Sequence, residues 1–260
     1  MIDLHSHILP GIDDGAPDLD ASLALAGAAV ADGTRRMVAT PHVSGDYDYD
    51  LDDIGRRTGE VNAALARQEL PLAVLPGAEI ALARLSGLSD DDLRLLSLGG
   101  GGCVLVESPY SPSAPFLDEA LFDLQIRGFT PVLGHPERSP VFQGDLERVR
   151  ELVARGVLCS ITAGSLAGRF GAKPRRVSLE LLSEGLVHSV DSDAHDTRGR
   201  PPGLSAGFGA AEEELPGIGR QIDWYARDAP AAILAGEPLP QAPEPPPRPR
   251  SALRRLLGRR

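Results

Sequence analysis

The 260-residue chain has few cysteines, and their positions exclude one kind of catalysis. Cys103 and Cys159 both lie within apolar stretches, so we expect two small buried core residues rather than reactive thiols. A cysteine-nucleophile loop needs an arginine six residues after the cysteine. Pro109 and Ser165 stand at those two positions. A reaction that passes through a cysteine thiolate is therefore not expected.

Lysine, long apolar runs and excess positive charge are also scarce. Lys173 is the only lysine and lies in a predicted loop beside Pro174, which disfavours a carbamylated lysine bridging two metal ions at a strand end. No run of about 18 apolar residues indicates a membrane span, and no basic and apolar leader opens the sequence. We therefore expect a cytoplasmic protein. The net charge of −11 argues against non-specific binding of nucleic acid.

Short apolar runs alternate with segments of helical period about seven times, which predicts an α/β fold with a parallel sheet, most simply a barrel. The predicted strands are Met1–Leu4, Arg36–Ala39, Leu72–Pro76, Cys103–Glu107, Thr130–Leu133, Leu158–Thr162 and Val187–Val190. The predicted helices between them include Asp18–Asp32, Leu51–Gln68, Asp90–Leu96, Pro115–Arg127, Leu146–Arg155 and Arg175–Gly185. Active sites of such barrels lie at the carboxyl ends of the strands.

The end of the sequence differs from the rest in composition. Residues 237–249 are rich in proline, and residues 250–260 are basic with three leucines at helical spacing. We therefore predict a barrel domain over residues 1–236 and a proline-rich, basic tail over residues 237–260. The simplest interpretation of the tail is a solvated segment. The alternative is a short amphipathic helix that contacts an acidic partner or a membrane surface.

Five of the six histidines fall into four short motifs, each placed where a predicted strand ends. His5 and His7 are two residues apart, so both side chains face the same side of a strand. His42 follows Thr40-Pro41, and His135 follows Gly134. Imidazoles that converge with carboxylates at strand ends are typical of a metal site for first-row divalent ions. The sixth histidine, His188, lies inside a predicted strand and is interpreted either as a core residue or as one that supports the ligands from behind.

Carboxylates accompany these histidines. Glu79 follows Pro76-Gly77 and Glu107 closes an apolar run, where a glutamate is costly unless it is paired or bound to metal. Asp13 and Asp14 lie in a loop before Gly15, and either one could be an oxygen ligand. Asp14 is preferred, although the sequence offers no firm physical ground to separate the two. The expected metal ligands are His5, His7, Asp14, His42, Glu79, Glu107, His135, Asp193 and His195.

Arg138 stands three residues after His135, and its guanidinium suits bidentate contact with phosphate oxygens. The alternative is a surface salt bridge with Glu137 or Glu147. Asp193 and His195 face one side of a strand end, whereas Asp191 would face it only if the strand continued unbroken. Arg138, Asp193 and His195 are therefore the expected catalytic residues of a metal-assisted hydrolysis of phosphate esters, in which two metals clamp the phosphate.

Taken together, these motifs resemble the PHP superfamily (polymerase and histidinol phosphatase) and, within it, the manganese-dependent protein-tyrosine phosphatases of the CpsB/YwqE type. The resemblance covers residues 1 to about 235. It rests on the opening residues 1–15, Ala39–His42, Pro76–Ile80, Gly134–Arg138, Thr162–Gly171 and Asp193–His195. One departure is Glu107-Ser-Pro-Tyr110, where the family tends to have an apolar residue after the glutamate. That difference bears on the shape of the substrate mouth.

The resemblance implies a distorted (β/α)7 barrel with a centre of two or three Mn²⁺ ions, Fe and Zn being alternatives. It implies one ion held by His5, His7, Glu79 and Asp193, a second by Glu79, Glu107 and His135, and a third by Asp14, His42 and His195. It also implies that Arg138 contacts phosphate. The implied substrate is a tyrosine-phosphorylated protein, a bacterial autokinase that controls capsule or exopolysaccharide synthesis.

Other functions compete with this one. A histidinol-phosphate phosphatase or a TatD-like metal nuclease would share the His-x-His pair and a late aspartate, although the acidity of the chain disfavours a nuclease. A different class is a non-catalytic module that binds a kinase and uses metal only for stability. Open coordination positions would argue against such a module, because structural sites are usually closed by protein ligands.

Overall fold

The computed structural model describes residues 1–245. Its strands are β1 (Ile2–Ser6), β2 (Arg36–Ala39), β3 (His42–Val43), β4 (Ala73–Pro76), β5 (Glu79–Ala81), β6 (Cys103–Glu107), β7 (Thr130–Gly134), β8 (Leu158–Thr162) and β9 (Ser189–Asp191). Its α-helices are α1 (Leu19–Ala31), α2 (Asp52–Arg67), α3 (Asp90–Leu96), α4 (Leu117–Ile126), α5 (Pro140–Gly144), α6 (Leu146–Ala154), α7 (Ala163–Leu166), α8 (Ala172–Ser183), α9 (Leu204–Glu212) and α10 (Ala229–Ala235). A π-helical turn, Trp224–Asp228, precedes α10.

The strands form two parallel sheets, in the order β1-β2-β4 and β3-β5-β6-β7-β8-β9. The first strand also meets the segment that follows the last strand: Ser6 bridges to Ala194, and the Asp193 amide donates to the His5 carbonyl at 2.8 Å. The predicted α/β fold with parallel strands is therefore confirmed.

Two short interruptions separate β2 from β3 and β4 from β5. Pro41 has no amide hydrogen to give to a ladder, so strand pairing stops there and resumes at His42. Gly77 lies so close to Val38 that a Cβ on it would sit 2.7 Å from a Val38 methyl. Beyond these interruptions, His42 and Glu79 pair in register on neighbouring strands. The sequence prediction missed β3 and β5, which carry these two side chains.

Local capping explains why several helices lie where the sequence predicts them. Asp18 caps α1 by accepting a hydrogen bond from the Ala21 amide, and the chain leaves the helix at Gly33 with φ of 97°. The prediction was wrong at α8, which begins at Ala172 rather than Arg175. Lys173 therefore lies in the first turn of a helix, not in a loop, and still not at a strand end.

Both cysteines are buried within the core, as predicted. Within residues 237–245 there is neither helix nor strand, yet this stretch contacts the rest of the chain: Leu239 packs against an apolar cluster that includes Leu4, and Gln221 donates to the Glu244 carbonyl at 2.9 Å. The alternative of an amphipathic helix near the carboxyl end concerns residues outside those that the structure describes. Among the helices of residues 1–245, none combines the length and the apolar character needed to cross a bilayer.

His188 gives stability a pH dependence. Its Nδ1 accepts a hydrogen bond from the Cys159 amide at 3.0 Å, and burial lowers the pKa of this histidine from 6.5 to about 4. As the pH falls below 6.5, His188 takes up a proton in the unfolded chain, whereas in the folded chain it stays neutral down to about pH 4. The free energy of unfolding therefore decreases as the pH is lowered from about 6.5 to about 4.

We expect His188→Gln, which keeps an acceptor, to remove this dependence. On going from pH 7.5 to pH 5.5, the unsubstituted protein should lose about 1 kcal/mol more of its unfolding free energy than the variant does. Urea titrations at the two pH values, in chelator, measure this difference. Equal losses in the two proteins would show that His188 titrates normally in the folded protein.

Candidate metal centre

Four buried side chains bring one ligand atom each to a single point at the carboxyl ends of the strands. His5 Nε2 lies 3.4 Å from His7 Nε2, 3.3 Å from Glu79 Oε2 and 3.4 Å from Asp193 Oδ1. His7 Nε2 lies 3.5 Å from the same Glu79 oxygen and 3.3 Å from the same Asp193 oxygen. Each of the four residues is about 1% exposed. The two histidines converge because both face the same side of the chain at β1, as predicted.

These spacings fit a metal ion. Five of the six distances among these atoms are 3.3–3.5 Å, which is the separation expected of two ligand atoms that each lie about 2.1 Å from one divalent ion, a typical bond length from imidazole or carboxylate. Glu79 Oε2 and Asp193 Oδ1 are buried, and neither has a hydrogen-bond partner among the described residues. Buried anionic oxygens that accept no hydrogen bond are costly unless positive charge lies beside them. The donor set and these unpartnered atoms both fit a bound cation.

A second group adjoins the first through Glu79. Its other oxygen, Oε1, lies 2.7 Å from His135 Nε2, and the ligand atoms of His5, Glu79 and His135 lie within 4.8 Å of one another. Glu107, at the end of β6, forms another group with Glu79 and His42, whose ligand atoms also lie within 4.8 Å of one another. Glu79 thus stands between histidines on two sides, as a bridging carboxylate would.

A third group is more open to solvent. Asp14 Oδ1 lies 3.5 Å from His42 Nε2 and 3.4 Å from His195 Nε2, and His7 belongs to the same group. The Asp14 side chain is 47% exposed and that of His42 is 17% exposed. His195 Nδ1 lies 3.0 Å from the Asp193 carbonyl oxygen. A proton on Nδ1 would be donated to that oxygen and would leave Nε2 free for a ligand role. This exposed edge is where a substrate can enter.

Asp13 and Asp14 have different surroundings, which the sequence could not distinguish. Asp13 Oδ2 lies 2.7 Å from His7 Nδ1 and accepts the His42 amide at 3.1 Å, while Oδ1 accepts the Gly15 amide. Asp13 therefore orients two of the candidate ligands, and Asp14 reaches the centre itself. Asp191 also points elsewhere: it accepts hydrogen bonds from the Leu4 amide and two serine hydroxyls.

The imidazoles keep the central carboxylates charged. Burial alone would raise the pKa of Glu79, but His5 and His135 bring the pKa well below its usual value. Asp193 shows the same balance, with its pKa well below the usual value. Glu107 differs, because burial and the neighbouring Glu79 raise its pKa to about 7. The same carboxylates raise the pKa of His5 and His7 above the usual histidine value. A bound cation would displace the protons that these imidazoles hold and would balance the carboxylates in their place.

Two arginines contact Asp193 on the side away from His5. Arg138 Nη1 and Arg200 Nη2 both pair with Asp193 Oδ2, so Arg138 does not form the surface salt bridge with Glu137 or Glu147 that was the alternative. The sequence prediction missed Arg200, which lies in a loop five residues after His195. Its proximity to a strand-end motif was the only available signal.

The backbone is strained at two site residues. His135 has φ of 35° and Asp193 has φ of 52°, in the left-handed region that non-glycine residues seldom adopt. Asp193 lies beyond β9, so the chain has already turned there, as expected from the loop predicted after that strand. Strained residues of this kind persist where surrounding contacts fix them, and they cluster at functional sites.

The parallel fold and the adjoining groups of histidine and carboxylate at its strand ends define a candidate metal-dependent hydrolase. Residues 1–215 match the family of capsular polysaccharide synthesis proteins CpsB/CapC. The chain belongs to this family, which confirms the resemblance seen in the motifs.

Named relatives and a solved structure agree with this family assignment. The chain is 39% identical to the tyrosine-protein phosphatase YwqE of Bacillus subtilis over 204 residues, 77% of this chain and 79% of YwqE. It is 30% identical to the tyrosine-protein phosphatase CpsB of Streptococcus agalactiae over 80% of this chain and 88% of CpsB. A crystal structure from work on B. subtilis YwqE and Streptococcus pneumoniae CpsB, described as metal-dependent tyrosine phosphatases, superposes with TM-score 0.82 and 32% identity. It covers 96% of this chain and all of that one.

A more distant likeness concerns the fold alone. The β-aspartyl dipeptidase of Fervidobacterium islandicum superposes with TM-score 0.57 at 17% identity, over 90% of this chain and 72% of the dipeptidase.

Proposed function

We propose that this protein is a metal-dependent phosphatase that hydrolyses phosphotyrosine in proteins. The observation that carries the proposal is the set of adjoining ligand groups with one solvent-exposed edge, beside two arginines. Its relatives are named tyrosine-protein phosphatases, which is the enzyme class expected from the sequence. The exposed edge supports catalysis over a purely structural metal site, because structural sites are closed by protein ligands.

The proposed ligand sets are those implied by the family resemblance. The short distances from His5 and His7 to Glu79 and Asp193 support these four residues as the ligands of one ion. The contact of His135 with Glu79 supports a second ion, although Glu107 groups more closely with His42 than with His135. The contacts of Asp14 support it as the loop ligand of a third ion, with His42 and His195. We propose manganese, while these ligand types suit iron and zinc as well.

Bound divalent ions would supply a water whose pKa is lowered towards about 7 and would offset phosphoryl charge. The protein's own residues do the rest. Arg138 and Arg200 present planar guanidinium groups that can hold phosphoryl oxygens through paired hydrogen bonds. Asp193 fixes both guanidiniums with one oxygen and faces the two central histidines with the other. His195 is held by the Asp193 carbonyl with Nε2 towards the exposed edge.

The finer architecture is part of the proposal. The bridge from Ser6 to Ala194, together with the two interrupted strand pairs, supports one distorted (β/α)7 barrel in place of two separate sheets. We propose that residues 1–236 form this barrel and that residues 237–260 are a tail outside it. We also propose that the protein acts in the cytoplasm on a tyrosine kinase that controls capsule or exopolysaccharide synthesis, since the matched family is named for capsular polysaccharide synthesis.

Asp13→Ala tests the orienting role assigned to that residue. We expect metal affinity to fall about 10- to 100-fold, the usual cost of removing a carboxylate that orients a ligating histidine. Asp48→Ala removes an exposed aspartate and is the matched control. Titration of metal-free protein with Mn²⁺, followed by calorimetry, measures both. Equal affinities in the two variants would contradict the assignment.

The proposed function is tested with purified protein on three substrates, each with Mn²⁺ and with chelator. Metal-dependent release of phosphate from a phosphotyrosine peptide, with little from histidinol phosphate and no cleavage of single-stranded DNA, is the expected result. A preference for either of the other substrates would keep the metal centre but overturn the substrate class. If metal binds and no substrate reacts, the binding module becomes the better hypothesis. Loss of activity in a folded His135→Ala variant would argue against that module.

A further inference from the structure

Two tyrosine rings stack on candidate ligand histidines, one on each side of Glu79. Tyr110 lies 5.8 Å from His135 between ring centroids, with 28° between the planes. Tyr47 lies 5.8 Å from His42, with 4° between the planes. Both histidines contact Glu79, at 2.7 Å and 3.1 Å. The mouth of the site therefore has an aromatic wall on either side of the bridging carboxylate.

Tyr110 is not placed as a core residue would be. It is 50% exposed, whereas the core Tyr225 is 2% exposed. Its hydroxyl has no hydrogen-bond partner within the described residues, unlike that of Tyr49, which donates to the His42 carbonyl at 2.7 Å. Leaving a large apolar ring half-exposed at a site mouth forgoes burial that would stabilise the fold. The ring is thus available to a ligand.

The position of Arg138 connects Tyr110 to the phosphate. The Arg138 guanidinium lies 5.5 Å from the Tyr110 ring centroid and 4.3 Å from that of Phe170, within the range of cation–π attraction. Arg138 also pairs with Asp193, one of the four central side chains. A phosphoryl group held by Arg138 would carry its ester oxygen, and the group beyond that oxygen, past the Tyr110 ring.

We propose that Tyr110 is a specificity-determining residue that stacks against the aromatic ring of an aryl phosphate monoester. This inference rests on the proposed phosphatase function and adds the residue that selects the substrate. An aryl ring can stack on an aromatic side chain, whereas an alkyl chain such as that of phosphoserine offers no flat face. Discrimination of this kind acts on the leaving group and leaves the phosphate contacts as they are.

A different role would have a different signature. If Tyr110 only positioned Arg138, its removal would weaken the hold on phosphate itself. The kcat/KM values for the aryl ester and the alkyl ester would then fall by the same factor, and inhibition by inorganic phosphate would weaken as well. The ratio of the kcat/KM values for the two substrates, together with the inhibition constant for phosphate, separates selection of the leaving group from positioning of the arginine.

The test compares the full-length chain with Tyr110→Ala and Tyr110→Phe, each saturated with Mn²⁺. Substrates are a phosphotyrosine peptide and the same peptide with phosphoserine. We expect Tyr110→Ala to lower kcat/KM for the aryl ester about tenfold, the upper range for an aromatic pair, and for the alkyl ester less than about twofold. Tyr110→Phe keeps the ring and should restore the selectivity. The inhibition constant for inorganic phosphate should stay within about twofold throughout.

Phe116→Ala is the matched control, because it removes an exposed aromatic ring that is 67% exposed on a different surface groove. Equal losses on both esters, no loss on either, or a weakened phosphate inhibition in Tyr110→Ala would overturn the inference. Failure of the proposed function is distinguishable: the unsubstituted protein would then release no phosphate from either peptide in Mn²⁺.

Discussion

Replacing Glu79 by glutamine should nearly abolish activity while leaving the fold intact. Glu79 carries the negative charge shared by His5, His7, His42 and His135, and it belongs to both of the buried ligand sets proposed. Residues that merely orient ligands cost about 10–100-fold when removed, so the loss of a bridging ligand should cost more than about 100-fold. Phosphate release from a phosphotyrosine peptide and the number of metal ions per chain, by elemental analysis, measure the effect.

Glu119→Gln provides the control for this experiment. Glu119 is exposed on α4 and lines a groove of about 570 Å³ that none of the candidate ligands lines. The same change of carboxylate to amide should there leave activity and metal content unaltered. Retention of activity within about threefold in Glu79→Gln would rule out a bridging role, because neutralising a metal-bridging carboxylate cannot be that mild.

Gly15→Ala should also strongly impair the protein, because the added methyl group would clash with His7. A Cβ at Gly15 would stand 2.1 Å from the His7 carbonyl oxygen and 2.4 Å from the His7 Cβ. The loop would have to move away from β1, taking Asp13 and Asp14 with it. We expect destabilisation of about 3 kcal/mol or more, and loss of metal at the exposed edge. Urea unfolding and metal titration test the two parts separately.

Gly27→Ala is the matching substitution elsewhere. Gly27 lies inside α1, and a Cβ there meets nothing within 4 Å. Alanine favours a helix over glycine by up to about 1 kcal/mol, so this variant should be slightly more stable than the unsubstituted protein. If Gly15→Ala unfolded at the same urea concentration as Gly27→Ala, the loop would be far more adaptable than its contact with His7 indicates.

The sequence predicted the regular elements well, because their signals are local. Apolar runs of strand length ended at Glu107 and near Gly134 as expected, and Asp18 and Gly33 bounded α1. The two-residue strand β3 and the three-residue strand β5 were missed, since elements of two or three residues contain too little pattern to detect. Their existence depends on pairing between His42 and Glu79, which only the folded chain brings together.

The grouping of the candidate ligands was predictable to a similar extent. A histidine or carboxylate at a strand end is visible in the sequence, and nine such residues come together in the grouped ligand atoms. The different contacts of Asp13 and Asp14 depend on the directions in which two adjacent side chains point in a loop. Arg200 and Tyr110 lie in loops whose path is set by tertiary packing. No local pattern fixes such positions.

The contact between the first strand and the last strand sets an order of assembly during synthesis. The Leu4 amide donates to Asp191 across 187 residues, and the adjoining His5 and Asp193 share one ligand group. Ribosomes add about 5–20 residues per second, so His5 and His7 wait roughly 10–40 seconds for Asp193 to be made. A nascent chain that ends before β9 would expose the two histidines and an unpaired strand edge. A ribosome-bound chain ending before residue 190 should therefore depend on chaperones, and adding Mn²⁺ should not rescue it.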